Sequence, residues 1–352
     1  MRRLIGVGLL GLAGGGCTGM MMKTTGKTMS AYTVEHLTPY VLGSPDTGMA
    51  CAISESNGNL LLSFERVESE NAVGAVSTLT SAGACAEELA REQELRGLRA
   101  LKRGDAGEAQ DARFAEGRAH ATAASRFYRS WQYLTHAFKV SADRCPELID
   151  EDDDDRTAEV AWLTGHLGAV QGVQHDRAAK GAVGVPTDLP QQVARSIRCL
   201  DNDRWFGIPA AIQAAIWVGV PGSAPEGADP WKQLDEASAV GAKAGLRVAL
   251  AVRAQAADAV GDEGKVKEAI RAFVAAGATP PPARWRMFDL QAGLTVLHLS
   301  DRLWTRATGH RTPPGELGTF PDDKKEAPPE EGFFDAIDDA APAAPADQNP
   351  QQ

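Results

Sequence analysis

The sequence predicts an all-α protein, an array of antiparallel helical hairpins that winds into an α-α superhelix. Alanine is abundant, and apolar residues return every three or four positions, which is the period of an amphipathic helix. Alternating runs of β-branched residues, which are typical of strands, are scarce. The order helix, Gly-Asp turn, helix also recurs, and helical-hairpin repeats are built in this way.

The N-terminus has the pattern of a lipoprotein signal. Arg2 and Arg3 precede an apolar run over residues 4–13, and a glycine stands directly before Cys17. The run is too short for a transmembrane helix, which needs about 20 apolar residues. We therefore expect a lipoprotein signal peptide over residues 1–16 and lipidation of Cys17. An ordinary secretion signal remains the alternative, because Gly14 stands where lipoprotein signals usually carry leucine.

Lipidation would anchor the chain in the cell envelope on the periplasmic face. Three acyl chains on Cys17 exceed the two signals that stable anchoring takes. Thr18, rather than an aspartate, follows the cysteine and favours the outer membrane over the inner one. Residues 17–45 are rich in Thr, Gly, Met and Lys, and they are expected to form a flexible tether.

Charge and cysteine content restrict the classes of function. The net charge of -11 argues against nucleic-acid binding, which depends on lysine and arginine contacts with phosphates. The four cysteines beyond Cys17 are too widely spaced for a zinc knuckle. In an oxidising compartment they predict two disulfides, for which three pairings are possible. We expect neighbours in sequence to pair, Cys51 with Cys85 and Cys145 with Cys199. Four buried free thiols are the alternative.

The helical-repeat domain is predicted over residues 46–312. Its clearest helix carries Phe127, Trp131 and Leu134 along one face, at i, i+4 and i+7. Beyond this domain, residues 313–352 are rich in proline, alanine and acids, and a disordered tail is expected there.

Caps and turns divide the domain into pairs of helices. Asp188 and Asp229 are each predicted as the N-cap of a helix with proline in its first turn. Gly104-Asp105 and Gly261-Asp262 each separate two helical stretches. Because no strict 34-residue period is present, the repeats are interpreted as degenerate tetratricopeptide-like hairpins, with a plain irregular helical domain as the alternative.

The sequence carries no motif of a known catalytic site, and we expect a protein that is not an enzyme and holds no metal or cofactor. His175, Asp176 and Arg177 are the one candidate catalytic group, with capping charges at a helix end as the alternative. His298 and Asp301 are three residues apart, a spacing that suits a metal or a surface hydrogen bond.

Aromatic side chains are candidates for contacts with a ligand or a partner. Trp205 and Phe206 lie in the segment "LDNDRWFGIP", which is either a recognition turn or a packed corner. Trp131 and Trp162, with His166, could line a channel. The alternative is that these tryptophans are wedges in the core.

Several segments, taken in order, resemble the T component associated with TRAP transporters, the tripartite ATP-independent periplasmic uptake systems. The segments include "LLLSFERV", "ASRFYRSWQYL", "VAWLTGHLGAV" and "DLPQQVARSIRCLD", and the resemblance covers residues 50–308. The residues that match the family pattern are Tyr128, Arg129, Asp188, Leu189, Pro190, Leu200 and Asp201. The resemblance implies a non-enzymatic periplasmic lipoprotein of tetratricopeptide-like hairpins, able to form a homotrimer, with a channel through each subunit.

The resemblance also implies a partner, the periplasmic solute-binding protein of a transporter. We expect an accessory scaffold that binds this partner and a small apolar or organic-acid ligand. The candidate contact residues are Tyr128, Arg129, Trp131, Trp162, His166, Trp205 and Phe206. An adaptor for envelope assembly or cell-wall machinery is the alternative, and an enzyme acting through residues 175–177 is a third hypothesis.

Overall fold

A computed structural model of the chain describes residues 14–67, 71–141, 144–149 and 153–323, without the side chains of residues 14–17. Over these ranges the fold is all-α, and the only β-type pairing is a single bridge between Leu317 and Thr319. The α-helices are α1 (Gly14–Tyr32), α2 (Thr38–Gly43), α3 (Thr47–Ser63), α4 (Ala72–Lys102), α5 (Ala106–Phe138), α6 (Thr157–Ala178), α7 (Leu189–Ser196), α8 (Ile208–Gly219), α9 (Pro230–Lys243), α10 (Val248–Ala259), α11 (Glu263–Ala276) and α12 (Arg286–Thr308).

Shorter helical turns complete the described chain. A π-helix, Thr33–Leu37, joins α1 to α2. The 3-10 turns are Phe64–Val67, Ile197–Cys199 and Ala283–Trp285. No helix in the described ranges combines the length and the hydropathy that a membrane span requires.

The Gly-Asp turns form hairpins, as the sequence predicts. Gly104 and Gly261 both adopt positive φ, and the aspartate after each one caps the next helix. Asp105 Oδ1 accepts from the Glu108 amide at 3.0 Å, and Asp262 Oδ1 accepts from the Lys265 amide at 3.0 Å. These bonds satisfy amides that an uncapped helix start would leave without a partner.

The two helices that have proline in their first turn, α7 and α9, are capped differently. Asp229 Oδ1 accepts from the Lys232 amide at 3.1 Å, so this predicted cap is confirmed. Asp188 occupies the N-cap position of α7, but its side chain accepts no amide of the first turn. Its Oδ2 instead accepts from the Gln192 side chain at 2.9 Å.

Helix α6 is buried on most of its surface and lies close to α5. Glycines at positions 165, 168 and 172 form one stripe along it. A Cβ added at Gly165 would lie 2.8 Å from Leu134, and one at Gly168 would lie 3.3 Å from the Phe127 carbonyl oxygen. A side chain at Gly165 would collide with Leu134 and one at Gly168 would be tightly packed, so these glycines allow α6 to lie close to α4 and α5.

The N-terminal segment is folded, so the predicted tether over residues 17–45 is wrong where the structure describes it. Ser30, Thr33 and Leu42 are buried. Asn57 of α3 donates to Thr33 Oγ1 at 3.5 Å. The polar composition misled the prediction because threonines here bond back along their own helix, as Thr33 Oγ1 does to the Met29 carbonyl oxygen at 2.9 Å.

The signal-peptide prediction falls on residues 1–13, outside the described residues, and on residues 14–16, which begin α1. Cys17 lies in α1, and its side chain is also outside the described part.

The predicted tail begins later than residue 313. Phe320 is buried, and Trp304 Nε1 donates to the Thr319 carbonyl oxygen at 3.0 Å. Residues 313–320 therefore belong to the folded unit. The buried Phe320 side chain holds them there, and the composition of the segment does not reveal this contact. The prediction for residues 324–352 lies outside the described residues.

Candidate ligand-binding pocket

A pocket of about 190 Å³ lies between α3, α4, α6, α10 and α12. Residues of the segment Thr33–Leu42 form one further wall. Ile53, which is 37% exposed, also lines it, so this side of the pocket reaches solvent. The pocket exists because α12 packs against both α10 and α4 and so closes the helical array on itself.

The lining is apolar with neutral polar groups. Phe127, Leu167 and Val252 are among its apolar members. Its side-chain amides come from Asn57, Gln171, Gln255 and Gln291. Binding sites for small organic molecules commonly combine an apolar wall with a few polar groups in this way.

Hydroxyl groups of α4 face the pocket and bond to the helices around it. Thr80 Oγ1 lies 2.7 Å from Ser130 Oγ and 3.1 Å from the Thr164 carbonyl oxygen, to which it donates. Ser77 Oγ lies 3.2 Å from Thr164 Oγ1. These contacts fix α4 against α5 and α6, and they keep this part of the wall polar without adding charge.

Glu87 is the one charged side chain among the described lining residues. It bonds to Arg91 Nη2 at 2.7 Å, and its Oε1 lies 3.6 Å from His175 Nε2. Burial alone would raise the pKa of Glu87, but the nearby Arg91 and His175 outweigh burial and lower the pKa to about 2. The pocket therefore has a carboxylate at one edge at any physiological pH.

A disulfide between Cys51 and Cys85 joins α3 to α4 beside the pocket, with a Cα–Cα distance of 5.6 Å. A second disulfide joins Cys145, in the segment after α5, to Cys199 near the end of α7. These are the two pairings expected from the sequence.

The candidate contact residues do not line the pocket. Trp131 and Trp162 are buried, and both rings pack against His166 at centroid distances of 5.3 and 4.6 Å. The prediction that these tryptophans line a channel is therefore wrong for this pocket. Phe127, Thr164 and Leu167, which are their neighbours in sequence, face the pocket instead.

His166 is a buried structural group. Its Nδ1 lies 2.7 Å from the Trp162 carbonyl oxygen, and its Nε2 lies 2.7 Å from Ser196 Oγ. A carbonyl oxygen only accepts, so Nδ1 carries a proton. Nε2 is partnered by Ser196 Oγ, which also lies 2.9 Å from the Gln192 carbonyl oxygen. Burial lowers the pKa of His166 to about 4.

The segment around Trp205 and Phe206 is a packed corner. Trp205 is fully buried, and its Nε1 donates to Glu159 Oε1 at 2.9 Å. Arg204 Nε donates to both oxygens of the same carboxylate. Phe206 is half-buried in the same cluster. Trp205 is therefore part of the core and is not available to a ligand or partner.

Tyr128 and Arg129 separate on α5. Tyr128 is half-buried against the core, whereas Arg129 is exposed. Arg129 interacts with Tyr133, whose hydroxyl donates to Glu65. Neither side chain reaches the pocket.

His175, Asp176 and Arg177 do not converge on one point. Both carboxylate oxygens of Asp176 accept backbone amides, from Val183 and Val185, each at 2.8 Å. Arg177 is exposed. His175 faces His120 on α5. The Asp176 carboxylate therefore caps the glycine-rich loop. This agrees with the alternative interpretation of the segment, capping charges at a helix end.

The pair His298 and Asp301 is also divided. His298 Nε2 lies 2.9 Å from Glu94 Oε2, and Asp301 Oδ1 accepts from the Thr312 amide at 3.0 Å. Among the described residues, no three His, Cys, Asp or Glu side chains cluster in a way that could hold a metal ion.

Sequence reasoning missed Glu87 and the hydroxyl groups of α4. The available signal was the run "VSTLTSAG" inside an alanine-rich helix, where Ser77, Thr78, Thr80 and Ser81 stand within one and a half turns. Serine and threonine are uncommon choices for a helix interior, so their density there indicates a polar function for that face.

Comparisons with protein-family models, with curated proteins and with solved structures found no match.

Proposed function

We propose that this protein is a non-enzymatic lipoprotein of the cell envelope that binds a small, uncharged, largely apolar molecule in the pocket between α3, α4, α6, α10 and α12. The observation that supports this function best is the lining itself, which is apolar with amide and hydroxyl groups and, among its described residues, carries Glu87 as the single charge.

The charge of the side chains that line the pocket restricts the class of molecule that it can bind. No described lining residue is a lysine, arginine or histidine that would compensate the carboxylate of an organic acid, and Glu87 carries a charge of the same sign as that carboxylate. Removing an anion from water without a partner is costly. A neutral ligand with a hydrogen-bonding group suits the amides of Gln171 and Gln255 better.

Within the cell, we propose that the chain acts as an accessory scaffold beside a periplasmic solute-binding protein. The support is the resemblance of residues 50–308 to the T component of TRAP uptake systems and the signal pattern before Cys17. The homotrimer and the outer-membrane anchor are part of the same proposal.

Binding of the neutral dye N-phenyl-1-naphthylamine tests the pocket. Its fluorescence rises in apolar surroundings, and we expect saturable binding to the full chain. Ala84→Leu places three more carbons in the lining and is expected to abolish binding. Ala52→Leu, at an exposed position of α3, is the matched control and should bind as the unaltered chain does. Equal binding by both variants would contradict the proposal.

Cross-linking in intact cells tests the partner. Recovery of a solute-binding protein supports the scaffold, whereas recovery of envelope-assembly proteins alone would replace it by the adaptor alternative.

A further inference from the structure

Two histidines meet between α5 and α6 behind the pocket wall. His120 Nδ1 lies 2.7 Å from His175 Nδ1, which is a hydrogen-bond distance. The opposite ring atoms each face a carboxylate: His120 Nε2 lies 3.6 Å from Glu116 Oε1, and His175 Nε2 lies 3.6 Å from Glu87 Oε1. Both imidazoles are largely shielded from water, with 17% and 7% of their side chains exposed.

The number of protons on this pair determines whether the contact can exist. A hydrogen bond between two Nδ1 atoms needs a proton on one of them and a lone pair on the other. With two neutral rings, one Nε2 carries no proton and turns its lone pair toward a carboxylate. With one added proton, both Nε2 atoms carry hydrogen toward Glu116 and Glu87, and the bond between the Nδ1 atoms remains. The singly protonated pair therefore keeps the bond between the Nδ1 atoms and directs one N–H, at ion-pair distance, toward each carboxylate.

A second added proton removes the acceptor. Two N–H groups would then point at each other across 2.7 Å, and the two cationic rings would repel. Each ring would keep its own carboxylate, Glu116 on α5 or Glu87 on α4, so the rings would be drawn apart.

Other charged groups face the pair from neighbouring helices. On α4, Arg91 bonds to Glu87 and Glu88 and also donates to Thr295 Oγ1 at 3.1 Å. On α12, His298 acts on Glu87 from a distance and is itself held by Glu94. On α6, the Asp176 carboxylate beside His175 is already occupied by two backbone amides.

The pair is connected to the pocket by Phe127 and Glu87, which both line it. The Phe127 ring stacks on the His175 imidazole, with centroids 5.5 Å apart and planes at 21°. The ring also lies against α4, because a Cβ added at Gly83 would lie 2.6 Å from it. A displacement of His175 would therefore move a side chain of the pocket wall.

We propose that His120 and His175 form a proton-binding site that controls the pocket. One shared proton holds the pocket wall in place, and the binding of a second proton loosens the wall. This inference rests on the proposed ligand-binding function. It assigns to the cluster a proton as its ligand, consistent with the finding that no described cluster is suited to a metal ion.

Dye binding at several pH values tests the coupling. N-phenyl-1-naphthylamine stays uncharged between pH 7.5 and 5.0, and we expect its Kd with the full chain to rise about tenfold over that range, a usual size for coupling between two sites. His120→Gln should remove the pH dependence. Glu116→Gln should shift it to lower pH, because the second proton loses a compensating charge. His136→Gln, an exposed position on the same helix, should behave as the unaltered chain.

A pH-independent Kd in the unaltered chain, or an unchanged pH dependence in His120→Gln, would overturn the proposal. Thermal unfolding of each variant at pH 7.5 establishes that it is folded, and Glu116→Gln provides a second test if His120→Gln is not.

Nitrogen NMR of the imidazoles tests the proton site without a ligand, so its failure is distinct from failure of the proposed function. We expect the number of ring N–H groups on the pair to rise as the pH falls from 7.5 to 5.0, with the protonation of each ring altered by substitution of the other. If the dye does not bind at any pH, the proposed pocket function and the control of the pocket both fail, and the NMR spectrum alone decides the shared proton site. Two rings that titrate independently would overturn the proton site.

Discussion

Ser54 Oγ donates a hydrogen bond to Ser81 Oγ at 2.9 Å and so ties α3 to α4 in the wall of the pocket. The disulfide between Cys51 and Cys85 lies one turn away on both helices. Beside the pocket, α3 is therefore joined to α4 by both a covalent and a hydrogen-bonded contact.

Removing this disulfide by Cys51→Ser with Cys85→Ser is expected to weaken both the fold and the pocket. Closing a loop of 34 residues stabilises a folded chain by about 4 kcal/mol in the chain-entropy description. We expect a lower Tm and a Kd for N-phenyl-1-naphthylamine raised at least tenfold, measured by thermal unfolding and fluorescence.

Cys145→Ser with Cys199→Ser is the matched control. Its loop of 54 residues predicts a similar loss of stability, but it lies away from the lining residues. Equal loss of dye affinity in both double variants would show that the first disulfide has no particular role in the pocket.

Leu42→Ala tests the wall formed by the N-terminal segment. Leu42 is buried in α2 and lines the pocket, so its truncation should cost about 2 kcal/mol and weaken dye binding. Tyr40→Ala in the same helix is the control, because Tyr40 is 76% exposed. Hydrogen exchange would add a direct reading, since a packed wall protects the amides of residues 34–43 and a flexible tether does not.

Asp289→Ala is expected to be one of the more damaging single substitutions near the pocket. The Asp289 carboxylate accepts from the Arg247 amide at 3.0 Å and from its guanidinium at 2.6 and 3.0 Å. Removing one member of a buried ion pair leaves the other charge uncompensated, at a cost of about 3–5 kcal/mol. Denaturant unfolding measures this loss.

The control for Asp289→Ala is Glu236→Ala, which breaks the exposed pair with Lys232. A surface pair of this kind contributes less than about 1 kcal/mol. If both substitutions cost the same, the Arg247–Asp289 pair is not a buried structural contact.

His166 predicts a pH dependence of stability that is separate from the paired histidines. The folded protein holds the pKa of His166 near 4, below the ordinary value of 6.5. Between these values the unfolded chain binds a proton that the folded chain excludes. Stability should therefore be complete above about pH 6.5 and decline as the pH falls through 4, by roughly 3 kcal/mol. His166→Gln should flatten this part of the curve measured by denaturant unfolding at each pH, and an unchanged slope would refute the assignment.

The helical class, the hairpin turns and both disulfide pairs could be predicted from the sequence because their causes are local. Gly104-Asp105 encodes a turn and a cap by itself, and each disulfide joins cysteines that are neighbours in the sequence. The predicted face of Phe127, Trp131 and Leu134 is likewise buried.

The pocket could not be predicted, since it depends on contacts between distant segments. Thr33 of the π-helix, Thr80 of α4 and Gln255 of α10 come together only when α12 closes the array on α4. The tryptophans suggested a different site, because sequence alone does not distinguish a large aromatic residue that fills a core from one that lines a channel. The polar N-terminal segment is predicted as a tether because composition does not reveal which threonines bond to their own helix.

The most direct test of the central claim compares two molecules that differ mainly in charge. Decanamide and decanoate have the same chain length, and each can be titrated against bound N-phenyl-1-naphthylamine at pH 7.5. A pocket edged by Glu87 and lacking a cation among its described lining predicts that decanamide displaces the dye at a concentration at least tenfold lower than decanoate. Displacement by decanoate at the same or a lower concentration would contradict it.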